Sequence, residues 1–182
     1  MPKPLSLLIV LVVAALFTQC NSANADAQDG SAATGADAYQ CLPCGRECDK
    51  KTLDAPGKCS GCGMELIKKT TVRFRSIEPA AVCRYIKDHP ETILLDVRTK
   101  DEFEGKADPD FGALKGAINI PVQQLQARLG ELDRYKSKEI IVYCSHSHRS
   151  PQASYLLTQN GFTNVVNMAG GMSVLKDKDC LQ

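Results

Sequence analysis

The sequence predicts an α/β protein: an open, parallel sheet with helices on both faces, preceded by a small metal-ribbon module. The segments 92–96, 139–143 and 165–168 are continuous apolar runs, as expected of strands that are buried on both faces. Helical patterns separate these runs, which is typical of parallel sheets. Residues 39–67 contain two CxxC pairs but too few apolar side chains for a core of their own, so we expect them to form the separate module.

The individual elements follow from local signals in residues 70–182. Strands are predicted at 71–75, 92–96, 117–120, 139–143 and 165–168. The first helix should be capped by Ser76, tolerate Pro79 in its first turn and end near Asp88. Two more helices are expected at 122–132 and 151–160, the latter ended by Gly161. This part of the chain, roughly 110 residues long, is sufficient for a full hydrophobic core.

The composition is that of a globular protein without a charge bias. Of the 182 residues, 43% are hydrophobic and 24% are charged, and the net charge is +1. Without residues 1–19, whose only charged side chain is Lys3, 21 basic residues balance 21 acidic ones. We therefore expect no nucleic acid among the partners, because a surface that binds nucleic acid needs an excess of positive charge.

An apolar segment at the amino terminus is typical of an export signal. Residues 5–17 are apolar except for Ser6, they follow Lys3, and a run of this length is too short to cross a bilayer. We expect residues 1–19 to be a signal peptide, and a buried helix is the alternative. Residues 20–38 then form a flexible linker, because such small and polar side chains cannot offset the chain entropy of ordering.

Two routes of processing are open for this segment. Residues 16–20 (LFTQC) resemble the lipoprotein box of bacteria, in which Cys20 becomes the lipidated first residue. Ordinary cleavage after Ala25, in the A-x-A pattern of residues 23–25, is the alternative. Both routes predict an exported protein, either a lipoprotein that is anchored to the membrane and faces the periplasm or a soluble periplasmic protein.

The cysteine module, residues 39–67, has the spacing of a thiolate metal site. Cys41 and Cys44 form one CxxC pair, Cys59 and Cys62 form another after fourteen residues, and a glycine follows each pair. This spacing lets four thiolates surround one ion, and zinc prefers that tetrahedral set. The alternatives are iron in a rubredoxin-like site, Cys48 as a ligand, or disulfides in place of the metal.

The second half of this module, residues 56–66 (PGKCSGCGMEL), resembles the short heavy-metal-binding domain of bacterial metal-efflux and related exported proteins. Its first half departs from that pattern, because Leu42-Pro43-Cys44 stands where many members have Pro-Met-His. The resemblance implies that the module binds zinc or another thiophilic metal ion.

Cys144 has the surroundings of a reactive nucleophile. It follows the strand at 139–143, and open parallel sheets bind ligands beyond the carboxyl ends of their strands. Ser150 is expected to cap the next helix and Pro151 to open it. Loop amides and the helix amino terminus would then face the sulfur and favour its thiolate, and Arg149 would add a positive charge. Such a site suits an anionic sulfur donor such as thiosulfate; a buried structural cysteine is the alternative.

The order of motifs in residues 94–171 resembles the rhodanese family. The motifs are LLDVR (94–98), EF (102–103), GAINIP (116–121), YCSHSHRS (143–150), GFTNV (161–165) and GG (170–171). The resemblance implies a sulfurtransferase with no cofactor in this domain. Cys144 would accept a sulfane sulfur as a persulfide and pass it to a thiol or another thiophilic acceptor. The resemblance also implies that Asp96 and Arg98 are buried anchors, with Arg98 pairing with Glu102.

The Cys144 loop, residues 144–150, distinguishes two activities of this fold. Four residues separate Cys144 from Arg149, as in the sulfur-handling members, whereas the related phosphatases and arsenate reductases have one more. Ser147 replaces a glycine of many members, so we expect a strained backbone there. The two loop histidines either stabilise the thiolate or face solvent. The loop residues expected to line the substrate site are Ser145, His146, Ser147, His148 and Ser150.

A second hypothesis assigns the function to the cysteine module. The chain would then be an exported metal-binding protein that uses its α/β domain for docking or redox chemistry. Thiol–disulfide exchange is a third hypothesis, although no partner cysteine lies next to Cys144 in the sequence. Cys83 is expected in the core, and Cys180 either in a frayed terminus or as a resolving thiol.

Overall fold

The fold is that of a computed structural model, which describes residues 38–107 and 109–182. The predicted signal peptide, the expected lipidation site Cys20 and nearly all of the predicted linker lie outside the described residues. None of the helices in the described part of the chain is long and apolar enough to cross a membrane.

The cysteine module contains a small antiparallel sheet. Its strands are β1 (Tyr39–Gln40), β2 (Thr52–Leu53) and β3 (Ile67–Lys68), with β1 in the middle. A short 3-10 helix, Glu47–Lys50, lies between β1 and β2 and carries Cys48. The strands are too short to enclose a core, as expected from the scarcity of apolar side chains.

The rest of the chain forms a five-stranded sheet in which every pair of neighbours is parallel, which confirms the predicted fold class. Its strand order is β4-β8-β7-β5-β6. The strands are β4 (Arg75–Ile77), β5 (Ile93–Asp96), β6 (Ile118–Asn119), β7 (Glu139–Tyr143) and β8 (Asn164–Met168).

Helices cover both faces of this sheet. The helices are α1 (Pro79–Asp88), α2 (Lys100–Phe103), α3 (Val122–Arg128) and α4 (Arg149–Gln159). Side chains of α1 pack with Leu94 of β5 on one face, and those of α3 and α4 pack with Leu95 on the other. Because both faces are buried, the strands read as continuous apolar runs.

The first strand and the first two predicted helices differ from the structure at their ends. The first strand lies at Arg75–Ile77 and not at 71–75, and Glu78, not Ser76, is the N-cap of α1. Pro79 is therefore the first helical residue, a position where its missing N–H has no intrahelical partner to lose. The helix predicted at 122–132 ends at Arg128 and continues as a 3-10 helix, Leu129–Tyr135.

The carboxyl-terminal segment is tied to the sheet, which makes the prediction of a frayed end wrong. Cys180 forms a disulfide with Cys83 of α1, across a sequence separation of 97 residues. Leu181 pairs with Leu114 in an isolated bridge, and the Gln182 N–H donates to the Ala113 carbonyl at 3.0 Å. The disulfide also excludes the role of Cys180 as a free resolving thiol in this structure.

The cysteine module packs directly on the main sheet domain. Leu42 and Met64 belong to the same buried cluster as Leu95 and Leu157. Asn167 of β8 donates from its Nδ2 atom to the Pro43 carbonyl at 3.0 Å. The module therefore obtains from the sheet domain the apolar contacts that it cannot supply itself.

Candidate active site and cysteine cluster

Cys144 lies at the carboxyl end of β7, at the start of the Cys144 loop, as the sequence predicts. Its side chain is 1% exposed, and its Sγ atom lies 3.5 Å from the Ser150 Oγ atom. Ser145, Ser147 and Ser150 are also buried, and the Ser150 hydroxyl is the one that contacts the sulfur, which itself has little contact with bulk water.

Residues 169–173, here called the glycine strap, hold the first two residues of this loop. The N–H groups of Met172 and Ser173 donate to the carbonyls of Cys144 and Ser145, each at 2.9 Å. Gly171 lies so close that a Cβ atom there would be 2.5 Å from both carbonyl oxygens. Only glycine allows this approach, and its φ of +72° also favours glycine.

The helix that follows the loop begins earlier than predicted. Its N-cap is His148, and Arg149 is its first residue, so Ser150 lies inside the first turn. Ser150 is therefore not the cap, and its hydroxyl is instead near the Cys144 sulfur. The amino terminus of this helix lies beside the sulfur, as expected, but the helix starts two residues earlier than predicted.

Ser147 has the strained backbone that the sequence predicts. Its φ is +57°, and it is the only non-glycine residue with positive φ in the described part of the chain. A side chain in this left-handed region raises the backbone energy by about 1–2 kcal/mol. Such strain in a loop at the end of a central strand is a feature often found at functional sites.

Arg149 is held by Glu102, a pairing that the sequence analysis missed. Its two terminal nitrogens donate to the two Glu102 carboxylate oxygens, each at 2.6 Å, and Ser145 joins the pair through its hydroxyl. Hydrogen bonds from Arg149 hold the pKa of Glu102 well below its usual range. Thr99 fixes Glu102 from the other side in a capping box of α2. The T-x-x-E spacing before a helix was the available signal for this role of Glu102.

The predicted pair between Arg98 and Glu102 is wrong. Arg98 binds Asp96 instead, through three hydrogen bonds of 2.6–3.0 Å, and both side chains are fully buried. Arg98 also donates to the Gly112 carbonyl at 2.7 Å. This pair stabilises the turn after β5, as expected of a structural anchor, and it leaves Glu102 free to position Arg149.

The two loop histidines have different surroundings. His146 is exposed and its ring meets Phe111 edge-on, with centroids 5.5 Å apart. His148 is half-buried, and burial together with the positive charges of Arg46, His146 and Arg149 lowers its pKa. Arg46 belongs to the cysteine module, so the module contributes positive potential beside the Cys144 loop.

Comparison with known proteins agrees with this architecture. The sequence profile of the rhodanese-like domain matches residues 80–178, more than half of the chain. The chain belongs to the rhodanese family.

The chain spans only 56% and 29% of the length of two curated relatives that it matches. The uncharacterized protein YqhL of Bacillus subtilis is 41% identical over 78 residues, which cover 43% of this chain and 56% of that protein. A tRNA uridine(34) hydroxylase of Yersinia pestis is 31% identical over 109 residues, which cover 53% of this chain and 29% of that protein. The solved structure of a rhodanese-related protein from Thermoplasma volcanium shares 31% identity at a TM-score of 0.48, covering 58% of this chain and 94% of that one.

The cysteine module contains a cluster of sulfur atoms that is separate from Cys144. The sulfurs of four cysteines lie within 4.8 Å of one another and could hold a metal ion: Cys41, Cys44, Cys48 and Cys62. Cys48, which the sequence analysis treats only as an alternative ligand, is in this set. Cys59 of the predicted four lies outside it, although its thiol interacts with those of Cys41 and Cys62.

The surroundings of these thiols differ. Burial raises the pKa of Cys41, and it raises that of Cys44 to about 12. At Cys59 burial acts in the same direction, but the N–H groups of Gly61 and Cys62 outweigh it and lower the pKa to about 7. All of these cysteines are free thiols in the structure. The alternative prediction, disulfides in place of the metal, is therefore not what the structure shows.

A groove of about 700 Å³ runs between the cysteine module and α4. Leu42, Cys62 and Met64 line it on the module side, and His148 and Tyr155 line it on the helix side. The groove is therefore lined both by a cysteine of the sulfur cluster, Cys62, and by a residue of the Cys144 loop, His148.

Proposed function

We propose that this chain is a sulfurtransferase, or a carrier of persulfide, with Cys144 as its nucleophile. The observation that carries the proposal is the position of Cys144, which combines a buried sulfur, a short loop and the amino terminus of α4. The peptide dipoles at the start of this helix can stabilise negative charge on a bound donor or leaving group. Membership of the rhodanese family supports the same chemistry.

The proposed reaction consists of two displacements at sulfur. The Cys144 thiolate attacks the sulfane sulfur of a donor such as thiosulfate, the S–S bond of the donor breaks, and sulfite leaves with the bonding electron pair. The resulting Cys144 persulfide is then attacked at its outer sulfur by an acceptor thiolate or another thiophilic nucleophile. The Cys144 thiolate leaves and the site is restored, with no external oxidant or reductant consumed.

The charges around the loop favour an anionic donor. Arg149 is close enough to interact with the Cys144 sulfur, and Arg46 of the cysteine module adds positive potential beside His148. Both terminal nitrogens of Arg149 are already bound to Glu102, so Arg149 mainly positions the loop in this structure. The peptide dipoles at the start of α4 remain as the directed source of positive potential.

The test is sulfur loading measured by intact mass. Purified protein treated with thiosulfate should gain one sulfur atom, and Cys144→Ser should gain none. The double variant Cys83→Ser and Cys180→Ser is a matched control, because it removes the disulfide on the opposite face of the sheet and leaves no free thiol there. Wild-type protein that gains no sulfur from thiosulfate or from a persulfide donor would falsify this function.

The cluster of free thiols favours a second activity, the binding of a metal ion. We propose that the cysteine module binds zinc or another thiophilic ion, because thiolates are soft ligands that select Zn²⁺ or Cu⁺ over hard cations. Elemental analysis of protein purified without added metal checks this, and less than one tenth of an equivalent of any transition metal would contradict it.

We propose further that the protein is exported and held at a membrane by a lipid on Cys20. This rests on the pattern of residues 1–20 alone. Fractionation of cells that express wild-type protein and Cys20→Ala decides between lipidation and ordinary cleavage. A soluble wild-type protein would contradict the anchor.

A further inference from the structure

The sulfur cluster of the cysteine module has nearly the dimensions of a tetrahedral zinc site. A tetrahedral zinc ion with bonds of about 2.3 Å to sulfur separates its ligands by about 3.8 Å. The sulfurs of Cys41, Cys44, Cys48 and Cys62 all lie within 4.8 Å of one another, so small side-chain movements would complete such a site. Cys59 belongs to a CxxC pair but does not satisfy this limit.

Local structure explains why Cys48 joins the set. The 3-10 helix Glu47–Lys50 carries Cys48, whose sulfur lies near those of Cys41, Cys44 and Cys62. Asp49, its neighbour, accepts hydrogen bonds from the N–H groups of Cys44 and Gly45 at 2.8 and 2.7 Å and thereby fixes the backbone that carries Cys44. Such outer contacts orient metal ligands and are a normal part of metal sites.

The same turn touches the glycine strap of the sheet domain. The Gly170 N–H donates to the Cys44 carbonyl at 3.4 Å, and Asn167 donates to the Pro43 carbonyl at 3.0 Å. Gly45 packs so tightly that a Cβ atom there would lie 3.1 Å from the Gly170 nitrogen. Gly170, the strap residue that binds the candidate ligand Cys44, is two residues before Met172, and the Met172 N–H donates to the Cys144 carbonyl.

We infer that an ion held by Cys41, Cys44, Cys48 and Cys62 is energetically linked to sulfur loading at Cys144 through the glycine strap. The module has no core of its own, so much of the free energy of metal binding is free energy of its folding. An ordered turn at 43–45 supports the strap, and the strap supports the Cys144 loop. The inference rests on the proposed sulfur loading of Cys144.

Linkage requires the effect to be reciprocal. If bound metal favours the sulfur-loaded loop, then sulfur loading must tighten metal binding by the same factor. Couplings between sites typically change affinity by about 5- to 150-fold. A measurement of metal affinity therefore tests the inference without any measurement of turnover.

The ligand set is tested first, with a matched pair of variants. Zn²⁺ affinity is measured by competition with a chromophoric chelator in wild-type protein, Cys48→Ser and Cys59→Ser. Removal of a true ligand should weaken Zn²⁺ binding by more than the roughly 10- to 100-fold that is typical of outer-shell changes. We therefore expect Cys48→Ser to bind Zn²⁺ far more weakly than Cys59→Ser. Equal losses, or a larger loss in Cys59→Ser, would overturn the assignment of Cys48.

The linkage is tested on the same protein with and without sulfur at Cys144. Protein is loaded anaerobically with thiosulfate, freed of donor, checked by mass for one added sulfur, and titrated with Zn²⁺. The loaded form should bind Zn²⁺ at least about fivefold more tightly, and this difference should vanish in Asn167→Ala. Equal affinities of the loaded and unloaded wild-type forms would overturn the linkage, whereas failure to load any sulfur would contradict the proposed function instead.

Hydrogen exchange provides a second readout that does not depend on the stability of Asn167→Ala. The N–H groups of Met172 and Ser173 bind the carbonyls of Cys144 and Ser145, so they report on the strap. Zn²⁺ should slow their exchange in wild-type protein and leave that of the buried β7 amides unchanged. Exchange of Met172 and Ser173 that is indifferent to Zn²⁺ would contradict the inference.

Discussion

At the scale of single residues, Glu102 is the side chain that organises the Cys144 loop. It accepts two hydrogen bonds from Arg149, one from Ser145 and two from Thr99. It thereby joins the start of α2 to the start of α4. Because its pKa is lowered by Arg149, the carboxylate is charged throughout the physiological range.

Glu102→Gln should destabilise the protein and loosen the loop. We expect a loss of about 2–4 kcal/mol in the free energy of unfolding at pH 7, somewhat less than for a fully buried pair because Arg149 is partly exposed. The folded-state pKa of Glu102 is depressed, so its contribution is complete above the unfolded value of about 4.3 and is lost as pH falls below it. Urea unfolding at pH 7 and pH 3 should show the difference between variant and wild type shrinking at pH 3.

Glu131→Gln is the matched control for this prediction. Glu131 pairs with Arg128 at similar distances, 2.7 and 2.8 Å, but on the surface. Surface pairs are screened by solvent and contribute little. If Glu131→Gln destabilises as much as Glu102→Gln at pH 7, the organising role of Glu102 is wrong.

At the scale of elements, the junction between the glycine strap and β7 decides the shape of the site. Strand β8 pairs with β7 along four residues, and the strap continues from the end of β8. The two strands therefore deliver the strap and the Cys144 loop to the same edge of the sheet. Gly171 is the point of closest approach, with φ of +72° and both loop carbonyls against its α-carbon.

Gly171→Ala should be much more damaging than Gly161→Ala. Both positions have positive φ, and alanine in that region is destabilising by roughly 1 kcal/mol at either site. Only at Gly171 would the new Cβ atom also meet the Cys144 and Ser145 oxygens, whereas nothing lies within 4 Å at Gly161. We expect total losses of about 2–4 kcal/mol for Gly171→Ala, measured by urea unfolding, together with slower persulfide formation. Similar losses in the two variants would contradict the close approach.

At the scale of the whole molecule, two connections tie distant parts of the chain to the sheet. The cysteine module packs on one face, and the disulfide between Cys83 and Cys180 closes the other. The carboxyl terminus then lies along residues 113–115 through backbone hydrogen bonds. The disulfide lies in the cluster on the face that α1 covers, whereas the Cys144 side chain belongs to the cluster on the other face.

Removal of this disulfide should reduce stability without changing the chemistry. The free energy of unfolding of the double variant Cys83→Ala and Cys180→Ala should be lower by about 2–4 kcal/mol. The reason is that the unfolded chain regains the conformational freedom of a loop of nearly a hundred residues. Sulfur loading of Cys144 in the folded variant should match that of wild type. Unchanged stability of the double variant relative to oxidised wild type would show that the bond is absent in solution.

The sequence by itself was sufficient for the features that depend on neighbours along the chain. It predicted the order of strands and helices, the strand Glu139–Tyr143 with its bounds, and Cys144 at its end, since apolar runs and turn residues are local signals. It also predicted the strained backbone at Ser147 from a single substitution of glycine. The starts of α1 and α4 were misplaced because Ser76 and Ser150 are good caps, whereas the observed N-cap residues, Glu78 and His148, carry no such signal.

Only the tertiary structure decided which distant side chains meet. The partner of Glu102, the disulfide of Cys180 and the choice between Cys48 and Cys59 all depend on positions brought together by the strand order and by packing of the module on the sheet. Spacing along the chain does not determine such distances, because one fold can place a given thiol or carboxylate near several partners. Cys144 was therefore predictable from the sequence, whereas the contacts that hold it in place were not.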